Sequence, residues 1–281
     1  MRCLLELGDV EAVCPQAQSF LQSHSDFDAE AALLPFAIEA SWQLAKWSDL
    51  DEMLTRLGGP NKDEMSSELC PEDSFRIHLG SLLSAIHKND KSHLSERLTL
   101  ARDFIGPFLS AASLESYSRA YPYLVKLHLL HDLERSFDVV NSGQPFSELI
   151  ENDYADERAK MLASSTKHRS LPENIQRAIL NMIKSPQAFS MLAQSWLEES
   201  RKCKENVDAA RFALGNARLF GLDAGTLLIE ECRILKETGQ SYAALHLLEP
   251  SEIDGPSIEI LSERGMRPYF VRKRLFKMDS D

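Results

Sequence analysis

The sequence predicts an all-α chain, and within that class a tetratricopeptide-like helical-repeat solenoid. Three observations predict it. Leucine occurs 41 times and alanine 26 times against 7 valines and 5 threonines, and β-branched residues favour strands where Leu, Ala, Glu and Lys favour helices. Apolar residues recur three and four positions apart along most of the chain, which puts them on one face of a helix. Two stretches also repeat. Glu198-Glu199-Ser200-Arg201 aligns with Glu230-Glu231-Cys232-Arg233 at an offset of 32, and Ala209-Ala210 with Ala243-Ala244 at an offset of 34. A helix, a turn (Asn206, Gly239) and an alanine-bearing second helix at that spacing is the period of tetratricopeptide-like repeats. The alanines let paired helices approach closely.

Taken in order, Leu4, Leu5 and Leu7 end at the Gly8-Asp9 turn, and a second helix runs toward Phe20 and Leu21. Residues 29–47 form one face with Leu33, Phe36, Ala37, Ala40, Leu44 and Trp47, with Pro35 in an early turn or at a kink. Ser48 is the expected N-cap of the next helix, whose face is Leu50, Met53, Leu54 and Leu57 and whose stop is Gly58-Gly59-Pro60. A polar exposed loop is expected over 61–72, then a helix from Phe75 through Leu79, Leu82, Leu83 and Ile86. After the Lys88-Asn89-Asp90 turn comes another with Leu94, Leu98, Ala101, Ile105 and Leu109. Residues 114–133 are apolar over a broad arc, as in a helix covered on several sides, and Pro122 should kink it or mark its start.

The domain organisation follows: N-terminal helical repeats over 1–140, a weakly patterned connection over 141–171, C-terminal repeats over 172–249, and a basic disordered tail over 250–281. In that tail Arg264, Arg267, Arg272, Lys273, Arg274 and Lys277 occur with no acid between them, interleaved with Tyr269, Phe270 and Phe276. A frayed solvated end outweighs an import or anion-binding patch there.

Charge narrows the function classes. Lys and Arg total 31 against 43 Asp and Glu, a net of −12, so phosphate backbones are repelled and direct nucleic-acid binding is not expected. No apolar run reaches the roughly 18 residues of a membrane span, and no membrane association is expected. The five cysteines (Cys3, Cys14, Cys70, Cys203, Cys232) include no CxxC pair and are expected to be reduced thiols, most of them in the core.

Few residues offer chemistry. His128 and His131, three apart with Asp132 and Glu134 beside them, could supply half a metal site, but no second cluster completes it, so no metal is expected. The remaining histidines are scattered. No nucleophile elbow, glycine-rich phosphate loop or kinase catalytic motif occurs. No catalytic, cofactor-binding or metal residue is therefore assigned, and no cofactor is expected. Trp42, Trp47 and Trp196 are expected to pack within repeats rather than anchor a peptide.

One block is more specific. Pro107-Phe108-Leu109-Ser110-Ala111-Ala112-Ser113-Leu114-Glu115-Ser116-Tyr117-Ser118-Arg119-Ala120-Tyr121 runs on to Leu124-Val125-Lys126-Leu127-His128 and Leu133-Glu134. It resembles the FAT region of the phosphatidylinositol-3-kinase-related protein kinases, and the ATR-like members most. Arg177-Ala178-Ile179-Leu180, Trp196-Leu197-Glu198-Glu199-Ser200-Arg201 and Trp42-Gln43-Leu44-Ala45-Lys46-Trp47 extend the likeness. The resemblance implies a non-catalytic helical scaffold. It would support the kinase domain of the same polypeptide and meet an obligate adaptor protein, in the nucleus and in the DNA-damage checkpoint response. No family catalytic residue maps onto this chain. A segment cut from such a scaffold is expected to self-associate through uncovered apolar faces. The alternative is a free-standing tetratricopeptide-like adaptor that binds a peptide or protein partner.

Overall fold

The computed structural model describes residues 1–6, 9–23, 27–57, 69–142, 170–203 and 206–247. Among these, every regular element is an α-helix. The chain is all-α, and it divides into two compact units, Met1–Lys184 and Ser185–Asp281.

In the first unit the helices are α1 (Arg2–Glu6), α2 (Val10–Ser23), α3 (Phe27–Gln43), α4 (Trp47–Leu57), α5 (Pro71–His87), α6 (Lys91–Glu115), α7 (Tyr117–Ser142) and α8 (Ser170–Ile183). Helices α2, α4 and α5 pack on α3, α6 packs on α5, and α7 packs on α6. The core is built of bulky side chains. Trp42, Leu34, Ile38, Leu50, Leu82, Leu83, Leu129 and Leu133 are all fully buried. Helix α8 contributes Ile175, Ala178 and Ile179 to the same core and packs on α3 and α7. The compact division falls at 184/185, after α8. The apolar stripe of α8 finds its cover within the first unit.

The turns explain where local expectation and structure differ. The helix expected over 29–47 ends at Gln43, because Ala45 adopts φ 54° and the Lys46 amide closes back on the Ser41 carbonyl at 2.9 Å. That left-handed closure stops a helix, and Trp47 opens the next one. Ser48 is therefore inside α4 rather than its N-cap, and its hydroxyl reaches Asp49 Oδ1 at 3.4 Å. Asn89 repeats the device with φ 57°, and the Asp90 amide bonds the Ala85 carbonyl at 3.0 Å. Asp90 then caps α6 by accepting from the His93 amide. Helix α5 starts at Pro71, where a missing N–H costs nothing, so Pro71 and Glu72 belong to a helix and not to the expected loop. The expected helix over 114–133 is interrupted. Ser116 is extended, with φ −167° and ψ 153°, so Leu114 lies at the end of α6 and α7 begins at Tyr117. Pro122 sits inside α7 and is not its start. The Gly58-Gly59-Pro60 stop, the body of the 61–72 loop, most of the 141–171 connection and the 250–281 tail lie outside the described residues.

The second unit holds α9 (Pro186–Lys202), α10 (Val207–Leu219), α11 (Ala224–Glu237) and α12 (Ser241–Leu247). Ser185, Asn206 and Asp223 each cap the following helix by accepting the amide three residues on, which satisfies an orphan donor of the first turn. Gly221 and Gly239, at φ 88° and 76°, end α10 and α11. The repeat offset survives in three dimensions. Ser200 and Cys232 occupy equivalent positions and are both fully buried, as are Ala210 and Ala244.

Candidate functional site

Two polar features stand out, one in each unit. In the first unit, α4, α5 and α6 enclose a cavity of about 430 Å³. Helix α5 supplies Ser74, Ile77, His78, Ser81 and Ser84 with Lys88 at its C-cap, α4 supplies Asp51 and Leu54, and α6 supplies His93, Arg97 and Phe104. The α5 contribution is a stripe at helical spacing, so these side chains share a face for the same reason that apolar ones do.

The charges in this cavity are unevenly matched. Asp51 Oδ1 accepts from Ser84 Oγ and from Lys88 Nζ, each at 2.7 Å. That pairing satisfies one end. At the other, Arg97 Nε donates to His93 Nε2 at 3.4 Å. Burial, reinforced by Arg97, holds His78 below the ordinary histidine value, and its ring leans on Phe104 at 5.3 Å. Among the described residues Arg97 thus meets the His93 imidazole rather than a carboxylate. Outside the cavity, His87 stacks on Trp47 with ring centroids 4.6 Å apart.

In the second unit the feature is an ion cluster at the contact between repeats. The Glu230 carboxylate is buried and accepts from Arg201 Nε and Arg233 Nε, each at 2.6 Å. Arg233 also donates to the Ser200 carbonyl of α9 at 3.2 Å and reaches Glu237 at 3.0 Å. Burial would lower the Arg233 value, yet Glu230 and Glu237 hold it above the ordinary one. The cluster ties α9 to α11 through groups that repeat in the sequence, Arg201 and Arg233 being equivalent. Both oxygens of Glu230 are taken up within the cluster, while Arg201 stays half exposed.

The residues singled out from sequence fare differently. His128 and His131 are exposed, Asp132 is buried, and Glu134 is engaged by Arg102 at 2.5 Å. The structure does not bring the four together. Among the described residues no group of three or more potential ligands could hold a metal. Trp42 is fully buried and Trp196 meets Phe212 edge-on at 5.7 Å, so these two pack within their units. Only Cys14 and Cys232 are buried, which corrects the expectation that most thiols lie in the core. Burial pushes the Cys232 thiol up to about 11. The basic tail lies outside the described residues. No described helix is long and apolar enough to cross a membrane. The cavity residues were missed because His78 and His93 look isolated in the sequence. The available signal was the Ser74, His78, Ser81, Ser84 and Lys88 stripe on one helix.

Helical hairpins, alanine-lined contacts and an internally satisfied ion cluster define a helical-repeat protein. The FAT domain family model matches residues 34–251, and the chain belongs to that family. It is 27% identical over 232 residues to the serine/threonine-protein kinase ATR of Arabidopsis thaliana, covering 78% of this chain and 8% of that protein. It is 30% identical over 125 residues to the serine/threonine-protein kinase ATR of Oryza sativa subsp. indica, covering 44% of this chain and 4% of the relative. The serine/threonine-protein kinase tor1 of Schizosaccharomyces pombe is 28% identical over 144 residues, 51% of this chain and 6% of its own length. The chain therefore spans 8% or less of each of these relatives.

Proposed function

We propose that these 281 residues are a non-catalytic helical scaffold segment of an ATR-like serine/threonine protein kinase of the DNA-damage checkpoint. What carries this is the match of the FAT family model over residues 34–251 of an all-helical chain. In this reading two stretches of repeats, 1–140 and 172–249, flank a connection over 141–171. The buried helix contacts hold the kinase domain of the same polypeptide in register, because a repeat array transmits geometry through nearest-neighbour contacts. Its partners are that kinase domain and an obligate adaptor, in the nucleus. Large apolar side chains left uncovered support self-association of the isolated segment: Leu114, Tyr117, Leu219 and Tyr242 are exposed.

The deciding experiment is mass spectrometry of the endogenous protein, recovered with an antibody to the 110–134 block. Kinase-domain peptides from the same polypeptide are expected. A mature product ending at Asp281 overturns the scaffold assignment and leaves the free-standing adaptor. The purified 281-residue chain is expected to show no ATP turnover above a heat-denatured control.

A further inference from the structure

We propose that the cavity between α4, α5 and α6 binds a small organic monocarboxylate, its acid group on Arg97 and its apolar body against Leu54, Ile77 and Phe104. The site is independent of the scaffold function and would stand if that function failed.

Size is the first argument. About 430 Å³ falls in the roughly 300–1,000 Å³ range of small-molecule sites, which are mainly apolar with a few placed polar groups. The lining here mixes Leu54, Leu57, Ile77 and Phe104 with three serine hydroxyls.

Charge is the second, and it selects the ligand class. Among the described residues the lining holds two fixed cations, Lys88 and Arg97, and one carboxylate, Asp51. Lys88 is already matched by Asp51 at 2.7 Å. Arg97 is not matched: its Nε is turned to His93, and no carboxylate meets it among the described residues. Among the described lining residues the surplus is one positive charge. A carboxylate neutralises that charge and fits the planar guanidinium fork, whereas a phosphate dianion calls for a second free cation. A cationic ligand meets repulsion. The neutral His78 beside Arg97 can donate or accept one further hydrogen bond, and Ser81 can do the same.

The test uses the full chain and ligand-observed NMR with phenylacetate, 3-phenylpropanoate, 4-phenylbutanoate and octanoate, each paired with its uncharged amide. The acids are expected to bind and the amides to bind at least about tenfold more weakly, a difference of ~1.4 kcal/mol. Arg97→Gln is expected to erase the preference for acid over amide, and Ser81→Phe, which puts a ring into the lining, to abolish binding of both. Far-UV circular dichroism checks that each variant folds. Saturating acid is expected to raise the melting temperature by about 2–4 °C. The proposal is overturned by equal binding of acids and amides, by an acid preference that survives Arg97→Gln, or by no binding of any acid at 10 mM (roughly the weak-affinity limit of such sites). Binding of a capped acidic tetrapeptide but of no free acid also overturns it, and marks the cavity as a seat for a protein segment.

Discussion

The two compact units bury different kinds of surface. In Met1–Lys184 the largest fully buried side chains are Trp42, Leu34, Ile38, Leu83 and Leu130, with alanines such as Ala37 and Ala101 between them. In the unit that begins at Ser185 alanines predominate among the buried positions (Ala188, Ala193, Ala210, Ala213, Ala217 and Ala244), beside Leu192 and a small cluster of Leu197, Leu214, Leu227 and Ile234. Large side chains stabilise through area removed from water, about 25 cal/mol per Å². Small ones contribute less area, but they allow helices to approach, and a buried ion cluster then sets the register. The first unit should therefore respond most to lost volume, and the second to lost charge pairing.

The sharpest test of this contrast removes the largest buried side chain. Trp42→Ala is expected to cost about 3–5 kcal/mol, the range for deleting a buried aromatic, read from the urea midpoint of the first-unit transition. A loss below about 1 kcal/mol would show that the core around α3 repacks and that volume does not dominate there.

Next comes the charge cluster. Glu230→Ala should cost about 2–3 kcal/mol, less than a fully buried pair because Arg201 is half exposed. Glu198 stands 32 residues earlier at the equivalent repeat position but is exposed, so Glu198→Ala should change stability by under about 0.5 kcal/mol. Equal effects at the two sites, measured in parallel denaturant titrations, would remove the register role of Glu230.

Among the described glycines of the first unit, close approach occurs at Gly80 of α5. A Cβ there would overlap Ile38 Cγ2 of α3. Alanine gains up to about 1 kcal/mol of helix propensity, while overpacking costs about 1–3 kcal/mol. A net loss of about 1–2 kcal/mol is expected for Gly80→Ala, and a gain would mean that Ile38 can step aside.

The last test is a pH slope. Burial pushes the Asp132 carboxyl up to about 8, with Arg135 partly opposing. The folded form then holds a proton that the unfolded chain releases near its ordinary value of 3.8. Stability from this group is complete below that ordinary value and is lost as pH rises through the raised one, at up to about 1.4 kcal/mol per pH unit. Asp132→Asn is expected to flatten this slope between pH 5 and 8, roughly the window between the two values, and stability curves of equal slope would refute the shift.

Much of the second unit was legible because its repeat is written in the chain. The Glu-Glu-x-Arg and Ala-Ala pairs at offsets of 32 and 34 mark helices whose equivalent residues, Ser200 with Cys232 and Ala210 with Ala244, are buried alike. Gly239 marked the end of α11. The breaks at Ala45 and Ser116 were not legible, because an alanine in the left-handed region and an extended serine carry no local signal. Tertiary contacts hold them there against weak preferences. The cavity was not legible either. Its Asp51, His78 and Arg97 come from three helices, and no spacing in one dimension reports on their meeting.

What composition and periodicity settled alone is the all-α class, the apolar face of each helix and the repeat of the C-terminal half. Those depend on local propensity and on the 3.6-residue turn, which any stretch of chain carries within itself. Packing in three dimensions decided the rest. It placed α8 in the first unit, buried Glu230 between two arginines, and left Arg97 in a cavity whose described carboxylate, Asp51, is taken by Lys88. Each of these depends on which helix covers which. Many arrangements of amphipathic helices satisfy the same pattern, and the fit of specific side chains selects among them.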